Sequence, residues 1–289
     1  MDFLIQGDVA LAALLGLLIG SFLNVVIHRL PLIMEAQWDA ECAEHQAAKA
    51  GAEYRPASPA LTLCKPRSGC PHCGHAITWH ENIPVLSWIF LRGKCRACKT
   101  PISARYPLVE ITTAAVFAWC IHRWGFTYEA WAWCGFSAAL LTLALIDWDT
   151  TLLPDDITLP LLWAGLLSTA LGWTGIDLPS ALWGAVAGYG SLWSIYWLFK
   201  LVTGKEGMGY GDFKLFAALG AWFGWQALVP IILMASVIGA IVGIAMKLNS
   251  KLREGGYIPF GPFLAGAGFT AMFFGHERIL VTVLRSLGL

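Results

Sequence analysis

The chain has 289 residues, 57% of them hydrophobic and 13% charged, with a formal net charge of zero and a mean hydropathy of +0.62. Soluble domains carry about 25% charged residues, so the composition excludes an ordinary water-soluble protein and makes the bilayer the solvent to reason with. Fifteen Trp and fifteen Phe fit a chain with many interfacial anchors.

The first stretch, "MDFLIQGDVALAALLGLLIGSFLNVVIHRLP", has Asp2 and Asp8 before its apolar core and His28-Arg29 after it. A cleaved signal peptide has the reverse charge order and a small-residue cleavage site. A retained first span is therefore expected at 8–27. Further apolar runs near the spanning length of about 20 residues follow at 107–124, 130–148, 157–175, 181–201, 212–226, 227–247 and 259–275. The pair at 212–247 is divided only at Trp225-Gln226, a weak boundary. The expected fold is an all-α polytopic membrane protein, a bundle of about eight transmembrane helices. Gly16/Gly20, Gly184/Gly188 and Gly239/Gly243 place small residues four apart, which lets helices approach closely in lipid.

Charge sets the expected orientation. Residues 28–106 hold ten of the nineteen Lys and Arg; Lys200, Lys205 and Lys214 flank the 201–212 loop, and Lys247, Lys251 and Arg253 flank the last one. With eight spans all of these fall on one side, which the positive-inside rule makes the cytoplasm. Both termini then face the exterior, and 28–106 is a cytoplasmic insertion between the first two spans. Its segment 34–54 is Ala/Glu-rich and predicted helical, and "RPASPA" (55–60) ends it.

Two C-x-x-C pairs lie in that insertion: Cys70 and Cys73 in "CPHC", Cys95 and Cys98 in "CRAC". This spacing matches a tetrahedral four-thiolate zinc site. Four thiolates leave no open coordination position, so the expected zinc is structural. A pair of disulfides or unliganded thiols is the alternative, and disulfides are disfavoured in a reducing compartment. Lys94, Arg96 and Lys99 lie close enough to moderate the charge. His72, His75 and His80 are spare donors, read as surface residues.

Two aspartates meet the membrane at the same face. Asp147 closes the run "GFSAALLTLALIDWD", and Asp212 opens "DFKLFAALGAWFGW" behind Gly209-Tyr210-Gly211. Ionisable residues inside spans are costly and usually functional. Each also has a plainer reading: Asp212 as an N-cap, Asp155 or Asp156 as the cap of the next span, Asp147 as an interfacial residue. Asp147 is the harder to explain plainly, because the helix dipole opposes a negative charge at a C-terminus and favours one at an N-terminus. If the two meet, their environments separate their proton affinities, with Asp212 the more acidic, as an aspartic-peptidase pair requires. Gly209 and Gly211 then leave a substrate backbone room and allow the loop unusual dihedrals.

At these residues the chain resembles a known family. "GMGYGD" (207–212) matches the G-x-G-D signature of membrane aspartic peptidases. With "GSFLNVVIHRLP" (20–31), the paired C-x-x-C, "ENIPVLSW" (81–88), "RYPLVE" (105–110), "LIDWDTTLLPDDITLPLLW" (145–163) and "PFGPFLA" (259–265), it resembles the type IV prepilin peptidases over nearly its whole length. The resemblance implies a bifunctional enzyme of the bacterial inner membrane, which makes the exterior faced by the termini the periplasm. Such an enzyme cuts the basic leader from prepilins and pseudopilins on the cytoplasmic side, then methylates the new α-amino group with S-adenosylmethionine. It implies Asp147 and Asp212 as the catalytic pair and Cys70, Cys73, Cys95 and Cys98 as metal ligands. The domains expected are 1–27, a first span; 28–106, a zinc-binding insertion; and 107–289, the transmembrane peptidase domain. Lipid and prepilin substrates are the expected partners, and nucleic acid is not.

Two expectations reach past the motifs. Asp149, Asp155, Asp156 and Glu206 are placed to attract a basic leader. No Gly-rich nucleotide loop is visible, so the methyl donor is sought in the insertion and around Asn24, whose plainer role is an interhelical hydrogen bond. A peptidase without methyl transfer, and a transporter using the paired carboxylates, are the alternatives.

Overall fold

Each apolar run of the sequence is largely helical, although that at 157–175 leaves its helix after Ala170. The structure, a computed structural model, describes residues 2–51, 61–248 and 258–286, which fall into two units, Met1–Phe126 and Thr127–Leu289. "RPASPA", Lys251 and Arg253 lie outside the described residues. By length and hydropathy, three helical segments are long and apolar enough to cross a membrane: Gln6–Lys49, Tyr128–Thr150 and Trp225–Leu248.

In the first unit, α1 (Asp2–Lys49) is one helix of 48 residues that continues through Pro31. The expected first span and the helix expected from residue 34 are thus a single rod. α3 (Arg105–Trp124) packs along it. The contact is backbone to backbone. A Cβ on Gly16 would lie 2.6 Å from Ala114 Cα, and one on Gly20 would lie 2.7 Å from Glu110 Cα. Buried Asn24 ties the same pair, donating to the carbonyls of Gly20 (3.2 Å) and Tyr106 (3.1 Å). The interhelical role is therefore the one the structure gives Asn24.

Between α1 and α3 in sequence sits the cysteine-bearing segment, with the short helix α2 (Leu86–Phe90). Val85 precedes α2 at φ 60°, ψ −49°, a conformation a β-branched residue rarely adopts. The buried Glu110 carboxylate accepts its amide at 2.7 Å, and Ser21 is a second hydrogen-bond partner of Glu110. The hydrogen bond to that amide offsets part of the strain.

The second unit holds α4 (Tyr128–Thr150), α5 (Asp155–Ala170), α6 (Leu178–Thr203), α7 (Tyr210–Phe223), α8 (Leu228–Leu248), α9 (Gly261–Phe274) and α10 (His276–Ser286). Local chemistry sets the ends. Thr127 caps α4 by accepting the Ala130 amide, and Asp177 caps α6 by accepting that of Ser180 at 2.9 Å. Gly224 at φ 79° makes the break after α7, so the boundary expected near Trp225 falls at a glycine required by its positive φ and by space, since a Cβ there would lie 2.7 Å from Ser180 Oγ.

α7 is the buried centre, packed by α5, α6 and α9. All its residues from Asp212 to Phe223 except Lys214 are buried. Against α6 the backbones touch: a Cβ on Gly184 would lie 2.3 Å from the Gly220 carbonyl oxygen, and one on Gly188 2.8 Å from that of Phe216. At the far end Trp133, Phe136, Trp222 and Phe223 form an aromatic cluster with centroids 4.9 to 5.5 Å apart. Trp222 Nε1 donates to the Leu161 carbonyl at 2.9 Å. Glycine contact on one side and aromatic packing at the far end hold α7, and hence Asp212, in register with its neighbours.

Candidate functional site

The second unit brings Asp147 and Asp212 together. Asp147 sits in the last turn of α4, and its carbonyl accepts the Thr151 amide that closes the helix at 2.9 Å. Asp212 is the third residue of α7. Both carboxylates are buried, at 4% and 7% exposure, and Asp147 is the charged neighbour that acts on Asp212. Burying two carboxylates is costly unless each finds partners. Asp147 Oδ2 accepts the Gly261 amide at 2.9 Å. Asp212 Oδ1 has no hydrogen-bond partner among the described residues. A buried acceptor without a donor is a position where water or substrate binds most favourably.

Three readings of this region change. Asp212 is not the N-cap of α7; Gly209 is, at φ −81° and ψ 150°, and the Asp212 amide turns back to the Gly209 carbonyl. Nor do Asp155 and Asp156 cap α5, because Pro154 stands at that position. Gly209 and Gly211 do not adopt left-handed backbone, so dihedral freedom is not their reason. Gly211 is explained by space: a Cβ there would lie 2.6 Å from Leu153 Cβ. Gly209 leaves open room beside the carboxylate, where an added Cβ would meet Asp212 Oδ2 only at 3.8 Å.

The acids expected to attract a basic leader are partly committed elsewhere. Both Asp155 oxygens accept from Lys214 Nζ, at 2.6 and 2.7 Å. Glu206 pairs with Lys200 at 2.8 Å, which holds its carboxyl below the usual carboxylate range. Lys200 also lies over the rings of Tyr196 and Trp197 at 5.5 and 5.4 Å.

In the first unit the four cysteines converge, with all four sulfurs within 4.8 Å of one another. Cys70 and Cys98 are 3.7 Å apart and Cys73 and Cys95 4.0 Å. Tetrahedral zinc–sulfur bonds of about 2.3 Å imply sulfur separations of about 3.8 Å, so the donor set fits a closed site. Each pair is carried by the same device. A β-bridge flanks it, Gly69 with Ala76 and Lys94 with Pro101. The first cysteine's amide donates to the carbonyl five residues on, Cys70 to His75 and Cys95 to Thr100. The residue after the second cysteine turns left-handed, Gly74 at φ 71° and Lys99 at φ 61°.

Glu81 joins the two halves. His75 Nε2 lies 3.3 Å from its carboxylate and Arg96 Nη1 3.8 Å. The Thr78 hydroxyl and amide, with His75, pull the Glu81 carboxyl down to about 2. His80 meets Arg96 and Thr78. The donor cluster contains cysteines alone, as expected. The Thr100 hydroxyl and amide lower the Cys98 thiol to about 6. Against the His75 amide, which lowers it, burial and hydrogen bonds with the other cysteines raise the Cys73 thiol to about 11, so without metal the protons of the cluster are shared unevenly among its sulfurs.

The sequence reading missed Gly261 and Leu153. Its only signal for the first was the Gly-Pro opening of the run "GPFLA", a common helix start.

Fold and site together define an all-helical membrane protein with a buried aspartate pair and a four-cysteine module. The chain belongs to the type IV leader peptidase family, which matches residues 134–244, while residues 14–124 match the Bacterial Peptidase A24 N-terminal domain. Proteins named prepilin leader peptidase/N-methyltransferase are similar along most of their length. One from Stutzerimonas stutzeri is 50% identical over 280 residues, 96% of this chain and 95% of its own. One from Burkholderia pseudomallei strain 1026b is 52% identical over 274 residues, 95% and 88%. One from Pseudomonas aeruginosa is 52% identical over 264 residues, 91% and 89%. No solved structure is significantly similar to the chain.

Proposed function

We propose that this protein is an aspartic endopeptidase of the bacterial inner membrane. It removes the basic leader of type IV prepilins and pseudopilins at the cytoplasmic face and methylates the new α-amino group. The family and the names of its relatives support both activities. The single observation that carries the peptidase half is the meeting of Asp147 and Asp212, both buried, from two different helices.

In this reading the two carboxylates share one proton, because like charges this close cannot both ionise in a low dielectric. The ionised member takes a proton from water, whose oxygen attacks the scissile carbonyl; the other gives its proton to the carbonyl oxygen. Collapse of the tetrahedral intermediate transfers a proton to the leaving nitrogen and frees the amine. The unpartnered Asp212 Oδ1 is where the attacking water or the polarised carbonyl oxygen is expected. Eight crossings, with residues 28–106 and the site in the cytoplasm and the termini outside, put the pair where a leader ahead of an apolar helix places its junction.

Cys70, Cys73, Cys95 and Cys98 would hold zinc in a structural role, linking α1 to α3 through the segment between them. S-adenosylmethionine would supply the methyl group to the amine set free by cleavage. Asn24 is not assigned to that cofactor, since its amide group donates to the Gly20 and Tyr106 carbonyls.

Purified protein, a prepilin, and the variants Asp147→Asn and Asp212→Asn test the peptidase site. Each substitution abolishes cleavage, to below about one thousandth of wild type, while the thermal midpoint in detergent is kept. Cleavage retained by either variant would refute the assignment.

A further inference from the structure

Gly261 opens α9 with a single free donor. Pro262 follows it and has no N–H. The Phe263 and Leu264 amides turn back to the Phe260 carbonyl at 3.0 and 3.2 Å. Among the amides a helix leaves without a partner at its start, that of Gly261 is aimed away from the turn, and it donates to Asp147 Oδ2 across 114 residues of sequence.

The same position excludes a side chain. A Cβ on Gly261 would lie 2.6 Å from Asp147 Oδ2, 3.1 Å from its Cγ and 3.3 Å from Leu153 Cδ1. The backbone does not require glycine here, since φ is not in the left-handed region, and the first turn of a helix ordinarily accepts alanine. What requires glycine is the carboxylate lying against the bare Cα. Leu153 completes the arrangement, because it packs against both Gly261 and Gly211, the glycine preceding Asp212.

We propose that Gly261 is a positioning residue of the peptidase. Its amide fixes the rotation of the Asp147 carboxylate, and its missing side chain lets that carboxylate seat against the start of α9. The proposal rests on the reading of Asp147 as one of the catalytic pair. The start of α9 then holds the Asp147 carboxylate in one orientation, independent of substrate. Misplacing a catalytic group by about 1 Å costs on the order of 100-fold in rate, and the loss falls on the chemical step because Gly261 itself need not touch substrate.

The test uses the full-length enzyme with Gly261→Ala, Asp147→Ala, both together, and Gly266→Ala, a glycine of the same helix with nothing within 4 Å of an added Cβ. Gly261→Ala is expected to lower kcat about 10- to 100-fold with KM within about threefold, and to lower the thermal midpoint. Gly266→Ala changes neither. In the Asp147→Ala background, Gly261→Ala leaves the midpoint unmoved, because the carboxylate that its methyl would meet is gone. If Gly261→Ala alone fails to fold, the double variant folds for the same reason. A midpoint loss in the double variant equal to that in the single one, a double variant that also fails to fold, or an effect on KM alone overturns the proposal. Cleavage retained by Asp147→Ala would sink the catalytic reading while leaving the Gly261–Asp147 coupling measurable.

Discussion

Replacing Gly220 by alanine tests whether the α6–α7 contact sets the position of Asp212. The added Cβ would lie 2.2 Å from the Gly184 carbonyl oxygen and 2.4 Å from its carbon. Both are more than about 1 Å inside ordinary contact, and neither belongs to a flexible side chain. α6 and α7 must therefore separate by about 1 Å. Overpacking of this kind costs about 1–3 kcal/mol. Gly220 lies eight residues from Asp212, roughly 12 Å along the helix, so a rigid α7 carries the displacement to the carboxylate. The expected result is a lower thermal midpoint in detergent and a 10- to 100-fold loss in prepilin cleavage, in proportion to a shift of about 1 Å. Gly190→Ala, on the facing helix α6 with nothing within 4 Å of the added Cβ, is the control and stays near wild type. A Gly220→Ala enzyme with wild-type midpoint and rate would refute the claim that this contact fixes the active carboxylate.

Trp222→Phe removes the indole donor from the Leu161 carbonyl and opens space in the aromatic cluster. A stability loss of about 1–3 kcal/mol is expected in chemical denaturation, with KM unchanged. Cys98→Ser reduces bound zinc from about one per chain to a small fraction, read by metal analysis of protein purified without added metal; wild type with no bound metal would count against the zinc site. Glu81 titrates at about 2 against an ordinary 4.5, so its contribution to the cysteine segment is full above about pH 4.5 and is lost as pH falls toward 2. Hydrogen exchange over residues 69–101 should show Glu81→Gln less protected than wild type at pH 6, with the gap closing on acidification. A gap that is constant with pH would argue against the ionised carboxylate.

The candidate site was legible where solvation makes the sequence conspicuous. Asp147 and Asp212 stand out because one closes and the other opens an apolar run, and two C-x-x-C pairs announce shared coordination before any geometry is known. Contacts between distant segments were not legible. The pairing of Lys214 with Asp155 spans 59 residues and that of Gly261 with Asp147 spans 114; nothing local to either residue encodes its partner. Helix ends were misread for a related reason. An aspartate near a helix start is worth most as a cap, yet Asp212 is two residues inside, where a carboxylate can face another helix. The continuity of α1 was hidden by Pro31 and by the change from apolar to Ala/Glu-rich composition, both of which read as punctuation although the helix runs through.

α7 and α9 each have 14 residues and so are about 21 Å long, some 9 Å shorter than a hydrocarbon layer of about 30 Å. These are the two helices whose first turns hold Asp212 and Gly261. If both cross the bilayer, as in the proposed eight-span arrangement, the bilayer must either thin locally or leave a pit at one end. With the pit at their first turns, the slab would be shallowest at the aspartates. A scissile bond at the head of an apolar helix would then need to leave lipid only a short way to meet water, and the proposed hydrolytic centre would be a dent in the membrane itself rather than a cleft in a soluble domain.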